Sequence, residues 1–280
     1  MTDTMMNRVD EIIEMVKAKG INATLSIKND NGIERIGFAL GDGSVRPTLY
    51  PKMETNNIKS IVDYLINGYE QCKVSDDFFK DVTDHFTDFN YIKGGIIPVL
   101  VRECADDIVS RNFLDLKIMY RYMIPNPSAS IAIKESHLDT WNKTEDDIYN
   151  LALENARDTF TDMSINEALD IPFPDDIGMR VISNTSKTYG ASALLFPEVF
   201  EKYGNNARIL PSSIHEVIVV SNATDKMDDD GLADMIISVN ENELKPEEIL
   251  SNHPYKYEDG LILCGWGGME NETLYKIWIQ

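Results

Sequence analysis

Cysteine, histidine and positive charge are all scarce in this chain of 280 residues. The cysteines Cys72, Cys104 and Cys264 are far apart and form neither a Cys-x-x-Cys pair nor a cluster with histidine. This excludes a disulfide framework and a structural zinc site from the sequence pattern, so no metal and no cofactor is expected. Such cysteine usage fits a reducing compartment and a cytoplasmic location. Long apolar runs are missing as well: the longest, residues 96–101, falls far short of the ~20 residues that span a bilayer. The first twenty residues mix acids into their apolar positions and lack the continuous core of a signal peptide. The Asn-x-Ser/Thr triplets at Asn22, Asn142 and Asn222 are then chance matches, because glycosylation requires secretion.

Against 26 Lys and Arg stand 47 Asp and Glu, a formal net charge of -21. An excess of this size opposes direct contact with nucleic-acid phosphates or anionic lipid unless one basic patch is segregated from the rest. Residues 1–52 hold seven charges of each sign, which leaves 19 basic against 40 acidic residues in the remainder. What is plentiful is apolar side chain, 43% of the sequence, enough to build a buried core and to exclude disorder of the whole chain.

The periodicities predict an α+β protein with mostly antiparallel sheets and helices packed on one face. Residues 1–280 form one unit, divisible into subdomains 1–125 and 126–263 with a tail 264–280. Val9, Ile12, Ile13 and Val16 recur at helical spacing before Gly20, and Asn31-Gly32 sits between β-prone runs 23–28 and 33–40 as a hairpin signal. A third strand is expected at 45–50. Helices are expected at 56–72, 76–89, 144–160 and 232–242, and a short acidic one at 105–111. Strands are expected at 94–101, 113–124, 129–134, 179–184, 191–196 and 214–221, with a closing hairpin at 255–263. Residues 158–179 contain no Lys or Arg and are broken by Pro172 and Pro174, which predicts an exposed crossing segment.

Three groups of residues draw attention. On the 76–89 helix, Asp77, Asp81, Asp84 and Asp88 recur on one face and form an acid ridge, either a solvated surface or a binding surface for a basic protein partner. Ser212-Ser213-Ile214-His215-Glu216 is the densest polar cluster. It matches neither a Gly-x-Ser-x-Gly elbow nor a zinc-protease helix, so Ser213 and His215 with a distant acid such as Asp115 would have to assemble a hydrolase site in space. Ser212 and Glu216 flank that pair. Finally, Arg102, Arg121, Arg180 and Arg208 lie in or beside strands and could line a cleft for a nucleotide or another small ligand. The run Asp228-Asp229-Asp230-Gly231 fails as a calcium loop, since Gly231 in sixth place puts Lys226 first and Ile237 twelfth. It reads instead as a helix start.

The segments Arg46-Pro47-Thr48-Leu49-Tyr50, Phe113-Leu114-Asp115-Leu116, His137-Leu138-Asp139-Thr140-Trp141, Leu151-Ala152-Leu153-Glu154-Asn155 and Ile209 to Val217 occur together and in order. With Pro246 to Ser251 they resemble a bacterial family known as domain of unknown function 5688. The resemblance runs from about residue 45 to 263 and leaves the N-terminal hairpin and the tail after Cys264 outside it. It implies no assigned activity, since members have none. It also implies an origin among gut anaerobes and near mobile elements, and it marks Asp115, Ser212, Ser213, His215 and Glu216 as positions within the family pattern. The functional expectation is an acidic interaction protein of phage or mobile-element origin that acts on a basic host partner by mimicking nucleic acid. A Ser213/His215 hydrolase and a small-ligand binder are the alternatives.

Overall fold

A computed structural model describes residues 2–42, 46–54, 57–73, 81–82, 84–124, 130–169, 178–211, 213–221 and 228–264. The chain gathers into two compact units, Met1–Tyr91 and Ile92–Gln280. Both are α+β with antiparallel sheets.

The first unit opens with α1 (Asp3–Lys17), capped by the Thr2 hydroxyl, which accepts from the Met5 amide at 3.3 Å. Val9, Ile12 and Val16 form its buried stripe. Strands β1 (Ala23–Asp30) and β2 (Ile33–Leu40) pair in full register from Ala23 opposite Leu40 to Asp30 opposite Ile33. The turn holds only two residues, Asn31 at φ 55° and Gly32 at φ 81°, a conformation whose twist suits adjoining strands. β3 (Thr48–Leu49) joins the β2 edge, and α2 (Ile58–Lys73) starts where the Asn57 side chain accepts from the Ser60 amide. Both helices bury their stripes with Phe38, Leu40 and Ala23 in one core. The acid-ridge helix ends earlier than the spacing predicts: residues 81–82 and 84–85 are helical, residues 86–87 turn, and a new helix α3 (Phe89–Ile92) follows. Asp88 causes the break. Its carboxylate accepts from the Asn90 amide at 2.9 Å, as a helix-starting cap does.

The second unit contains two sheets. In the first, β4 (Ile96–Val101), β5 (Ser110–Phe113), β6 (Leu116–Met123) and β7 (Ser130–Ala132) surround β6, which pairs with the other three. The strand expected at 113–124 is present as β6 and starts three residues later, because Leu114, at φ 53°, turns the chain back from β5. The short acidic helix expected at 105–111 is absent, and its end is β5 instead. α4 (Glu135–Trp141) precedes α5 (Glu145–Ala156), where Thr144 and Asp147 cap each other's amides as a reciprocal box. The helix stops before residue 160 because Phe160 already belongs to a strand.

That strand opens the second sheet, ordered β13-β12-β10-β11-β9-β8. Its members are β8 (Phe160–Ser164), β9 (Met179–Asn184), β10 (Arg208–Leu210), β11 (Val217–Val220), β12 (Tyr255–Glu258) and β13 (Leu261–Cys264). The predicted exposed crossing at 158–179 is therefore corrected in its first half, which is β8 followed by α6 (Ile165–Leu169). Its proline-bearing half lies outside the described residues. α7 (Asp229–Asn242), capped by Asp228, buries Leu232 and Ile236 against Leu210 and Val220.

Residues 191–196, expected as a strand, are instead the main part of a 3-10 helix, Gly190–Leu195, in which every residue is buried. It packs on β4 of one sheet and on β9 and β11 of the other. Tyr189 enters it in the left-handed region, at φ 62°. Gly190 has no room for a side chain, since a Cβ would lie 2.5 Å from Ser183 Oγ and 2.6 Å from the His215 carbonyl oxygen. Gly190→Ala is expected to cost about 1–3 kcal/mol through overpacking, read as a lower urea midpoint with unchanged slope.

Candidate functional site

The polar cluster found in the sequence folds as a loop between β10 and β11, pinned from two sides. On one side the Ile214 amide donates to the Glu248 carbonyl at 2.9 Å, the Ser251 amide donates to the Pro211 carbonyl at 3.2 Å, and Ser213 bridges Ile249. On the other side the His215 carbonyl accepts from the Gly190 amide at 2.9 Å and from the Ser183 hydroxyl at 2.8 Å. Proline and paired serines serve this geometry, because a strand entrance has several backbone groups to satisfy. Ser212 lies outside the described residues.

Ser213 and His215 come together, but through the backbone. The buried Ser213 hydroxyl accepts from the His215 amide at 2.9 Å and also bonds the Glu216 carboxyl. The imidazole faces elsewhere: Nδ1 accepts from the Tyr189 amide at 3.3 Å, and Nε2 stands 3.9 Å from Glu248 Oε1. An amide donating to Nδ1 fixes the proton of the neutral ring on Nε2. The Tyr189 ring stacks on His215 at 5.8 Å between centroids, and the Arg121 guanidinium lies 5.6 Å from that ring. A serine nucleophile would need its hydroxyl on an imidazole nitrogen, and both His215 nitrogens are directed to other groups here.

The two carboxyl groups beside His215 are pushed in opposite directions. Burial raises Glu216 above the ordinary carboxylate range, more than the His215 charge and the Ser213 hydrogen bond lower it. Burial also acts to raise Glu248, but the Lys245 ammonium, 2.9 Å away, outweighs it and holds Glu248 low.

Asp115 does not join this cluster. It stands in the β5–β6 turn, where Oδ1 accepts from the Tyr255 hydroxyl at 2.5 Å and Oδ2 meets His253 Nε2 at 3.1 Å. Burial alone would raise its carboxyl, yet the His253 and Tyr255 hydrogen bonds and the imidazolium charge hold it below the ordinary value. Glu248, Tyr189, His253 and Tyr255 escape notice in the sequence, since each is separated by many residues from the partner that gives it meaning. Pro246 to Ser251, quoted above for the family resemblance, is the one signal that pointed toward Glu248.

Of the acid ridge, Asp77 lies outside the described residues. Asp81 is engaged internally, accepting from the Tyr91 hydroxyl at 2.5 Å and pairing with His85 at 3.2 Å. Asp84 is exposed, and Asp88 remains a charged, exposed cap. The four arginines proposed for a ligand cleft are each in use. Arg180 joins Lys202 and the Tyr203 hydroxyl on the Asp162 carboxylate. Arg208 pairs with Asp229, Arg121 donates to Ser130, and Arg102 donates to the Pro246 carbonyl at 3.0 Å. No group of three or more His, Cys, Asp or Glu among the described residues is arranged to hold a metal, and no described helix is long and apolar enough to cross a membrane.

A family model described as a family of unknown function, DUF5688, matches residues 4–259. The chain belongs to this family. The match begins with α1, so the N-terminal hairpin lies inside DUF5688 and not outside it as the quoted segments suggested. No curated protein and no solved structure matches the chain.

Two pH dependences of opposite sign follow for this DUF5688 chain. Asp115 has a lowered folded value, so its stabilisation is present above about pH 4, where the unfolded carboxyl ionises, and is lost as pH falls through the folded value. Asp115→Asn should flatten that acid limb. Glu216 has a raised folded value, so its ionisation costs stability as pH rises from about 4 through that value. Glu216→Gln should raise the urea midpoint at pH ~8 and leave it unchanged at pH ~3.5; an equal gain at both values would refute the burial account.

Proposed function

We propose that the chain is an interaction protein whose surplus carboxylates recognise a basic partner, in the manner of a nucleic-acid mimic acting on a host factor. The observation that carries this reading is how the cations are spent. In the second unit Arg111 is held by Glu145 and Asp146, Arg157 by Glu198, Arg180 and Lys202 by Asp162, Arg208 by Asp229 and Lys134 by Asp107. With these cations paired to carboxylates of their own unit, the surface field is left to acids such as Asp84, Asp88, Asp139, Asp230 and Asp234, all exposed. A field of one sign speeds encounter with a partner of the other and selects against partners of its own.

The same commitments weaken the small-ligand reading, which needed those arginines for an anionic ligand. The Ser213/His215 hydrolase reading is weaker too, because the hydroxyl and imidazole are occupied by different partners. Asp81 is better assigned to packing with Tyr91 and His85 than to recognition.

Binding of a fluorescein-labelled lysine-rich peptide, followed by anisotropy, tests the proposal. Affinity should fall between about 50 and about 300 mM salt as screening shortens from roughly 14 to 6 Å. Asp84→Asn with Asp88→Asn, which keeps the cap's acceptor, should weaken binding about fivefold, at roughly 0.5 kcal/mol per exposed pair. Glu241→Gln with Glu243→Gln removes the same charge from the end of α7. An equal loss there would mean that the ridge has no special part, and no binding at low salt would remove the proposal.

A further inference from the structure

Residues 244–254, between α7 and β12, carry both a carboxylate and a histidine that reach other parts of their unit. Near its start the segment is fixed by contacts indifferent to pH in the neutral range. Arg102 donates to the Pro246 carbonyl, the Ile214 amide donates to the Glu248 carbonyl, and the Asn240 amide donates to the Ser251 carbonyl at 2.9 Å. Glu248 does face His215 at 3.9 Å, but the same oxygen takes Lys245 at 2.9 Å, so its charge is compensated whatever the state of that imidazole.

The far end is different. His253 reaches the β5–β6 turn, where its Nε2 stands 3.1 Å from Asp115 Oδ2. From β12 the Tyr255 ring meets it edge-on at 5.5 Å between centroids, and the Tyr255 hydroxyl holds the other Asp115 oxygen in place. Within the segment itself the Ser251 hydroxyl accepts from the His253 amide. Asp115 follows the left-handed Leu114 that closes the turn.

We propose that 244–254 is a strap latched by protonated His253 on Asp115, and that its hold on the end of the four-stranded sheet weakens as pH rises through neutrality. The neutral imidazole can still donate one hydrogen bond; what is lost is the ion pair. The carboxylate favours the charged ring, and the pair fails at the acid end only when Asp115 itself is protonated.

Hydrogen exchange of the full chain at about pH 6 and about pH 8.5, on either side of the ordinary histidine range, tests this. After correction for intrinsic rates, protection of 244–254 should fall about two- to fivefold at the higher pH, as expected for a partly exposed pair. His253→Gln retains a donor without the charge; it should show no such fall and match the parent at pH ~8.5. Asp115→Asn should behave likewise, which keeps the test decisive if one variant folds poorly. His215→Gln should keep the parent's pH response. An unchanged parent, a persisting fall in both latch variants, or loss of the response in His215→Gln would each overturn the proposal.

Discussion

The second unit depends on how a fully buried 3-10 helix satisfies its backbone. Gly190–Leu195 sits among strands of both sheets, and buried amides without acceptors would cost more than the apolar packing around them returns. The His215 carbonyl meets that demand at the Gly190 end, with Ser183 added as a second donor. To place a carbonyl there, the chain between β10 and β11 must turn in, and the turn must be held from its other side by Glu248 and Ser251. The polar cluster of the sequence is thereby explained as the fastening of a core element. Its serine and histidine side chains serve the same turn, one by taking the His215 amide and the other by taking the Tyr189 amide.

Charge follows a similar logic of commitment. A chain with few cations pairs them between strands and helix starts, where each ties two elements: Arg111 joins β5 to α5, Arg208 joins β10 to α7, and Asp162 gathers Arg180 and Lys202. The acids outnumber these ties. A strongly negative exterior is then a consequence of building with scarce cations as well as a means of recognition.

Patterns local in sequence were legible. The Asn31-Gly32 turn, the Thr144 and Asp228 caps, the α1 stripe and the closing hairpin at Asp259-Gly260 all depend on side chains within a turn or two of each other. What failed depends on distant partners or on a single residue's backbone. The positive φ of Leu114 moved the start of the 113–124 strand to Leu116. Asp88 acted as a cap where the four-three-four spacing made it a ridge member. Ala191 to Phe196 has β-prone composition, but two sheets enclose it and a compact helical turn fits where an extended strand would need lateral partners. The His253–Asp115 pair leaves no local pattern, because the two residues are 138 positions apart.

Asp162 has a consequence for solubility. It lies in the middle of β8, a five-residue strand at the edge of a six-stranded sheet. Three donors hold its carboxylate ionised, with burial opposing them. Sheet edges are templates for pairing with other chains, and a fixed charge within a short edge strand is one of the devices that prevents it. An incoming strand would have to set its own side chains beside that charge and its three donors. The ion cluster that joins β8 to the 3-10 turn at Glu201–Tyr203 therefore also keeps this edge from recruiting a second molecule.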